Sequence, residues 1–217
     1  MEFIDLAFQQ KRIIEKLETN IKAVLTHGKF IMGPEVKKLE ESLADYVGVK
    51  NGIGCASGTD ALLMALMAYD IGPGDSVFTT PFTFIATAEV ISLLGAKPVF
   101  VDIDPETFNM DPQKLEEAVL RTTLRPKAII AVDLFGLMAD YDGIERIARK
   151  HNLLLIEDAA QSFGAEFNGK RACSCGNVAC TSFFPAKPLG CYGDGGMCFT
   201  DDDHVAEVMK SIRVHGQ

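Results

Sequence analysis

The 217-residue sequence contains no tryptophan and only four tyrosines and four histidines. Basic side chains are also scarce: 21 Lys and Arg stand against 30 Asp and Glu, for a net charge of −9. With no basic stripe the chain lacks the electrostatic footprint that phosphate backbones require, which argues against a nucleic-acid binder. No stretch approaches the roughly 20 consecutive apolar residues of a membrane-spanning helix. The opening Met1-Glu2-Phe3-Ile4-Asp5 places acids where a secretory signal carries bases, so a soluble, cytoplasmic protein is expected. The six cysteines, at 55, 173, 175, 180, 191 and 198, form no C-x-x-C arm and have no histidine close by. A zinc site is therefore disfavoured, and reduced thiols acting as small hydrophobes are expected. With 47% hydrophobic and 24% charged residues, and no repeat or low-complexity tract, the chain is globular rather than disordered.

The pattern along the chain changes near residue 50. Before it, Ile13, Leu17, Ile21 and Leu25 recur every fourth position and Gly28 follows as a C-terminal stop. Pro34 then opens a second helix, with Val36, Leu39, Leu43 and Val47 facing inward and Gly48 ending it. After it, short apolar runs alternate with amphipathic stretches. Strands are expected at 52–56, 76–79, 98–101, 128–132, 153–157, 178–183 and 197–200, with helices at 59–69, 85–94, 112–120 and 143–151. Asp201 is expected to cap a last helix through Val205, Val208, Met209 and Ile212. Runs such as Ala128–Val132 are apolar on both faces, as in a parallel strand covered by helices on either side. The alternation predicts an α/β fold, a three-layer α/β/α sandwich around a mostly parallel seven-stranded sheet.

Ligands of open parallel sheets sit beyond the carboxyl ends of the strands, and four segments bring polar or reactive groups there. Ala56-Ser57-Gly58-Thr59-Asp60 is a small-residue turn into a helix, suited to a phosphate or simply to capping. Glu157-Asp158-Ala159-Ala160-Gln161 puts two acids after an apolar strand, to neutralise a cation, bind a metal, orient a base or cap a helix. Lys187 lies between prolines in Phe183-Phe184-Pro185-Ala186-Lys187-Pro188-Leu189-Gly190, either as a Schiff-base nucleophile or as a loop lysine reaching water. Pro81-Phe82-Thr83-Phe84 offers aromatic faces for the core or for a flat heterocycle. A phosphorylated pyridine aldehyde would use all four: an anion cradle, a carboxylate for its ring nitrogen, a stacking ring and a lysine. The glycine-rich 190–196 segment precedes a strand rather than a helix, so a dinucleotide fingerprint fails its context.

Five ordered motifs carry a resemblance over essentially the whole chain: Ser57-Gly58-Thr59-Asp60-Ala61, Pro81-Phe82-Thr83-Phe84, Val101-Asp102-Ile103-Asp104, Glu157-Asp158-Ala159-Ala160-Gln161-Ser162 and Ser182 to Gly190, closing with Gly193-Asp194-Gly195-Gly196. In that order they resemble the DegT/DnrJ/EryC1/StrS aminotransferases. The resemblance implies a fold-type-I domain that binds pyridoxal 5′-phosphate (PLP) and aminates a nucleotide-linked keto-sugar, with glutamate as donor and a homodimer as the assembly. It implies Lys187 as the Schiff-base lysine and Asp158 as partner of the ring nitrogen. Gly58, Thr59 and Ser182 would hold the phosphate, Phe84 would cover a ring face, and Gln161 would lie on the ring-hydroxyl side. Glu2–Leu6 and the stretch from Cys180 to Gly196 are similar to the branch acting on UDP-linked 3-keto-glucuronate sugars in bacterial O-antigen synthesis. Ala186 departs from the family, many members of which carry serine there. Histidine in place of Lys187 would instead have pointed to a sugar dehydratase. Residues 1–48 are expected as a helical segment and 49–217 as the PLP-binding large domain. The family's smaller C-terminal domain is expected to be absent, leaving a non-catalytic cofactor-domain fragment as the competing reading. His27, His151 and His204 are expected as solvated surface, and His215 has no assigned role.

Overall fold

The computed structural model describes residues 4–217. Residues 1–3, which carried part of the signal-peptide and subfamily readings, lie outside them. No helix among the described residues is long and apolar enough to cross a membrane.

Alternation of short apolar strands and capped helices builds a seven-stranded sheet. Its strands are β1 (Asn51–Cys55), β2 (Asp75–Thr79), β3 (Lys97–Phe100), β4 (Arg125–Val132), β5 (Leu154–Asp158), β8 (Val178–Ser182) and β9 (Gly196–Thr200). A separate two-stranded hairpin, β6 (Glu166–Phe167) with β7 (Lys170–Arg171), was not foreseen. The order across the main sheet is β1-β9-β8-β5-β4-β2-β3, and only β9 runs against its neighbours. The carboxyl ends of the other six strands therefore share one edge, and the Gly195-Gly196 entry to β9 lies there too.

Side chains alternate strictly between the two faces, as the strand period of two requires. Ile130 and Ile156 pack with α4 (Gly58–Ala68), α5 (Ala86–Leu93) and α8 (Asp203–Arg213). Ile129 and Leu155 pack with α6 (Pro112–Arg121) and α7 (Tyr141–His151) on the opposite face. Each such fully buried side chain contributes about 1.5–3 kcal/mol relative to exposure. On the second face α3 (Pro34–Val47) adds Val47 to a smaller cluster with Phe183, Met197 and Phe199.

Four expectations are corrected. The first segment breaks at Arg12 into α1 (Leu6–Lys11) and α2 (Ile14–His27), and neither helix buries a residue; Ile21 and Leu25 remain 49% and 65% exposed. The fourfold spacing marks an amphipathic face that is only partly covered: Leu17 is half-buried, while Ile13, Ile21 and Leu25 are exposed. Leu39 of α3 is likewise exposed, because the helix turns Ala44 and Val47 toward the sheet instead. Asp202, not Asp201, caps α8 by accepting from the N–H groups of His204 and Val205, while Asp201 accepts from the Lys50 N–H. Not every histidine is solvated: His151 lies largely covered beside Glu116, whereas His27 is exposed as expected, its Nδ1 accepting from the Lys29 N–H and its Nε2 donating to Glu35. All six cysteines are free thiols, and four of them are buried.

Candidate active site

At the shared carboxyl edge lies a cavity of about 400 Å³. All seven residues singled out from the sequence line it: Gly58, Thr59, Phe84, Asp158, Gln161, Ser182 and Lys187. They come from four connections after four different strands, so only the parallel arrangement brings them together.

The turn after β1 leads straight into α4. Ser57 is the N-cap: its Oγ accepts from the Asp60 N–H and donates to the Asp60 carboxylate, at 3.0 and 2.8 Å. The N–H groups of Gly58 and Thr59 belong to the first turn, where no helical carbonyl can reach them, and the helix dipole adds positive potential. Gly58 is required by close approach. A Cβ placed there would lie 2.7 Å from Cβ of Ser182, at the end of β8. The missing side chain lets Ser182 pack directly against the first turn of α4, beside its free N–H groups.

Asp158 ends β5 and is 6% exposed. Its Oδ2 accepts from the Thr87 hydroxyl at 2.9 Å and its Oδ1 from the Ala160 N–H at 3.3 Å. Burial pushes this carboxyl up from its ordinary value, against the opposing pull of Thr87, Ala160 and the Lys187 ammonium. Among the described residues no cation hydrogen-bonds to it. It is a buried acid facing a cavity without a bonded counter-ion, which suits a cationic ring nitrogen.

Lys187 is half-buried in a loop that folds back on itself. Its N–H donates to Phe184 O, the Cys191 N–H to Phe183 O and the Phe183 N–H to Gly195 O. A Cβ on Gly190 would meet Pro185 O at 2.3 Å, so the loop closes this tightly only around glycine. Phe84 lies in the turn preceding α5, 67% exposed, with its ring at the cavity wall. Gln161 accepts from the Phe135 N–H through Oε1, which leaves its amide N–H groups for the cavity.

Three contributors take roles that the sequence did not reveal, although Thr83 and Glu157 stand within segments already singled out. Thr83 and Thr87 line the cavity, and their hydroxyls lie 3.1 Å apart. Thr87 interrupts the apolar stripe Ala86, Val90, Ile91, and a hydroxyl in such a stripe is the signal that could have found it. The third is a buried acid pair behind the site. Glu157 accepts from the N–H groups of Cys173 and Cys175, while Asp133 takes donors from Ala139, Tyr141 and Ser162. Burial pushes both acids up, and the facing Asp133 carboxyl adds to the rise of Glu157.

With this geometry established, the comparisons are direct. The family model described as DegT/DnrJ/EryC1/StrS aminotransferase matches residues 11–217. This chain belongs to that family. It is 58% identical, over all of its 217 residues, to the UDP-2-acetamido-2-deoxy-3-oxo-D-glucuronate aminotransferase of Pseudomonas aeruginosa, of which it covers 60%. The crystal structure of a DegT DnrJ EryC1 StrS aminotransferase from Brucella abortus superposes with a TM-score of 0.95 at 50% identity, covering 98% of this chain and 58% of that one. The Bacillus subtilis protein ntda, solved with bound cofactor PMP, superposes at 0.89 with 33% identity, over 97% of this chain and 47% of that one. The chain thus spans about 60% of the length of the curated relative and less of the others.

Proposed function

We propose that the chain carries the cofactor site of a PLP-dependent aminotransferase acting on a UDP-linked 3-keto-sugar, with glutamate as amino donor. The observation that carries this reading is the convergence of Lys187, Asp158 and the N-terminus of α4 on one cavity. The 58% identity to a relative named for a UDP-linked 3-oxo-glucuronate supports the sugar class. Amino sugars of this kind are building blocks of bacterial surface polysaccharides such as O-antigen, made in the cytoplasm, where the six thiols stay reduced.

The residues fit the cofactor. The close approach of Ser182 to Gly58 brings its hydroxyl beside the uncommitted N–H donors of α4 for a phosphate, and buried Asp158 supplies the negative charge that a protonated pyridine needs. When bound, PLP supplies an aldehyde that condenses with amines and a ring that withdraws electrons from the adjacent carbon. The chain's own residues do the rest. Asp158 holds a proton on the ring nitrogen by favouring its cationic form. The Lys187 amine would serve as base and then acid for the proton that leaves the donor's α-carbon. Phe84 and its neighbours restrict water and fix the plane of the ring, and Gln161 offers amide N–H groups to oxygen on the ring.

A homodimer goes with this reading. Phe82, Phe108 and Phe135 are exposed, yet they pack on one another with ring centroids 6.0–6.5 Å apart. This apolar patch adjoins the cavity through Phe84 and Gln161 and would be covered by a second copy.

The test is to add PLP to the purified chain, reduce with borohydride and map the adduct by mass spectrometry. A pyridoxyl group on Lys187, lost in Lys187→Ala, is expected, and in a separate unreduced sample glutamate should yield 2-oxoglutarate. Modification spread over surface lysines would refute the assignment.

A further inference from the structure

We propose that Thr87, with Thr83 behind it, is a positioning residue that holds the Asp158 carboxylate in the orientation needed to face a cationic ring nitrogen. This rests on the PLP reading above.

The first observation is where Thr87 spends its hydroxyl. A threonine or serine inside a helix ordinarily donates to the carbonyl four residues earlier. Thr19, Thr26 and Ser92 all do so, to Glu15 O, Lys22 O and Ala88 O. Thr87, the second residue of α5, has no helical carbonyl four residues earlier and donates to Asp158 Oδ2, 71 residues away, at 2.9 Å and with both groups buried.

The second is the direction of the chain of hydroxyls. Thr83 Oγ and Thr87 Oγ are 3.1 Å apart, and either atom alone could donate. An ionised carboxylate only accepts, so the single Thr87 proton is committed to Asp158. Thr83 must therefore donate to Thr87. The order is Thr83 to Thr87 to Asp158, and each bond polarises the next.

The third is the chemistry of the donor. Two donors on opposite oxygens, Thr87 on Oδ2 and the Ala160 N–H on Oδ1, fix the rotation of the carboxylate plane. Each oxygen still has a lone pair for a further donor in the cavity. Both donors are neutral, so they favour the ionised acid without neutralising it. An arginine or lysine bonded here would compete with the ring for the same charge. The other titratable groups that act on Asp158 are the Lys187 ammonium across the cavity and the Cys180 thiol on the paired strand β8.

The experiment compares wild type, Thr87→Val and Thr87→Ser in the full chain with two readouts. In cofactor-free protein, carboxyl-carbon NMR of Asp158 should titrate at higher pH in Thr87→Val and return toward wild type in Thr87→Ser. In PLP titrations followed by absorbance, Thr87→Val should bind about tenfold more weakly and Thr87→Ser within about threefold of wild type, the change expected for one hydrogen bond to a charged group. Asp158→Asn sets the upper limit of the loss. The proposal is overturned if Thr87→Val leaves both the carboxyl titration and PLP affinity unchanged, or if serine does not rescue. A wild-type chain that takes up no PLP would sink the functional reading, while the carboxyl titration would still decide whether Thr87 governs Asp158.

Discussion

Glu157→Gln isolates the proton held in the acid pair behind the site. Glu157 and Asp133 are both fully buried and share a contact. Two ionised carboxylates buried against each other would repel, and burial already raises both, so the pair keeps one proton. Asp133 already accepts from the Ala139 N–H and the Tyr141 and Ser162 hydroxyls, so the proton belongs on Glu157, donated toward Asp133. Glutamine keeps that donor but removes an acceptor: one of the N–H groups of Cys173 and Cys175, now 2.7 and 2.8 Å from the two Glu157 oxygens, would face an amide NH₂. An orphaned buried donor costs about 1–3 kcal/mol, or about 5 °C in Tm for a chain of this size. The sign of the pH dependence is separate. In the fold Glu157 holds its proton to higher pH than it does unfolded. Its contribution is complete below the ordinary carboxylate value and declines as pH rises toward the raised value, by at most about 1.4 kcal/mol per pH unit. Glutamine has no proton to lose. Urea denaturation at pH 5, 7 and 9 should therefore show wild type ahead of Glu157→Gln by the largest margin at pH 5, with the gap shrinking upward. A margin that is constant or widens with pH would mean that Glu157 is ionised in the fold, and the account of the pair would be wrong.

Gly58→Ala should weaken PLP about tenfold, because its Cβ would meet Ser182 at 2.7 Å and relieving that contact, at about 1–3 kcal/mol, pushes the Ser182 hydroxyl away from the first turn of α4. Pyridoxal, which has no phosphate, should bind wild type and variant alike; equal losses for both ligands would contradict a phosphate role. Arg125→Ala should destabilise by about 1–2 kcal/mol at pH 7, the lower part of the range for a charge-assisted bond because the guanidinium is largely exposed. Burial alone would raise the Asp75 carboxyl, but Arg125 and the Gly72 N–H outweigh it and hold it below its ordinary value. That stabilisation is present above the ordinary value and is lost as pH falls through the lowered one. Denaturation midpoints of wild type and Arg125→Ala should thus converge in acid, and a gap that persists at pH 2 would contradict the ion-pair account.

The sheet was legible because each strand is a local apolar run bounded by glycine, proline or an N-cap. The seven strands are found within a residue or two of their expected bounds, except at β4, which begins at Arg125 rather than Ala128. The Asp111-Pro112 start of α6 and the Gly28 and Gly48 stops behave as their chemistry dictates. What periodicity does not encode is whether an apolar face has a partner. Ile21, Leu25 and Leu39 have the spacing of core residues and remain exposed, since burial depends on what another segment brings to them. The cavity-lining residues were legible for a related reason: a parallel sheet guarantees that the segments after its strands meet.

The supporting contacts were not legible, and the adjacent acids show why. Glu157 and Asp158 are neighbours in sequence with the same charge, so a reading of residue types treats them as one feature. The strand period of two sends them to opposite faces of β5. Asp158 follows Ile156 toward α4 and α5 and meets a threonine from the helix after β2. Glu157 follows Leu155 to the other face, where the 173–175 turn closes on it. One acid faces a cavity and is kept available by neutral donors; the other is sealed in and keeps its proton. Both outcomes rest on partners that lie 16 to 71 residues away, brought within reach by pairing β5 between β4 and β8. Shifting that strand by a single residue would exchange the two environments, so the register of β5 is what assigns chemistry to position 158 rather than 157.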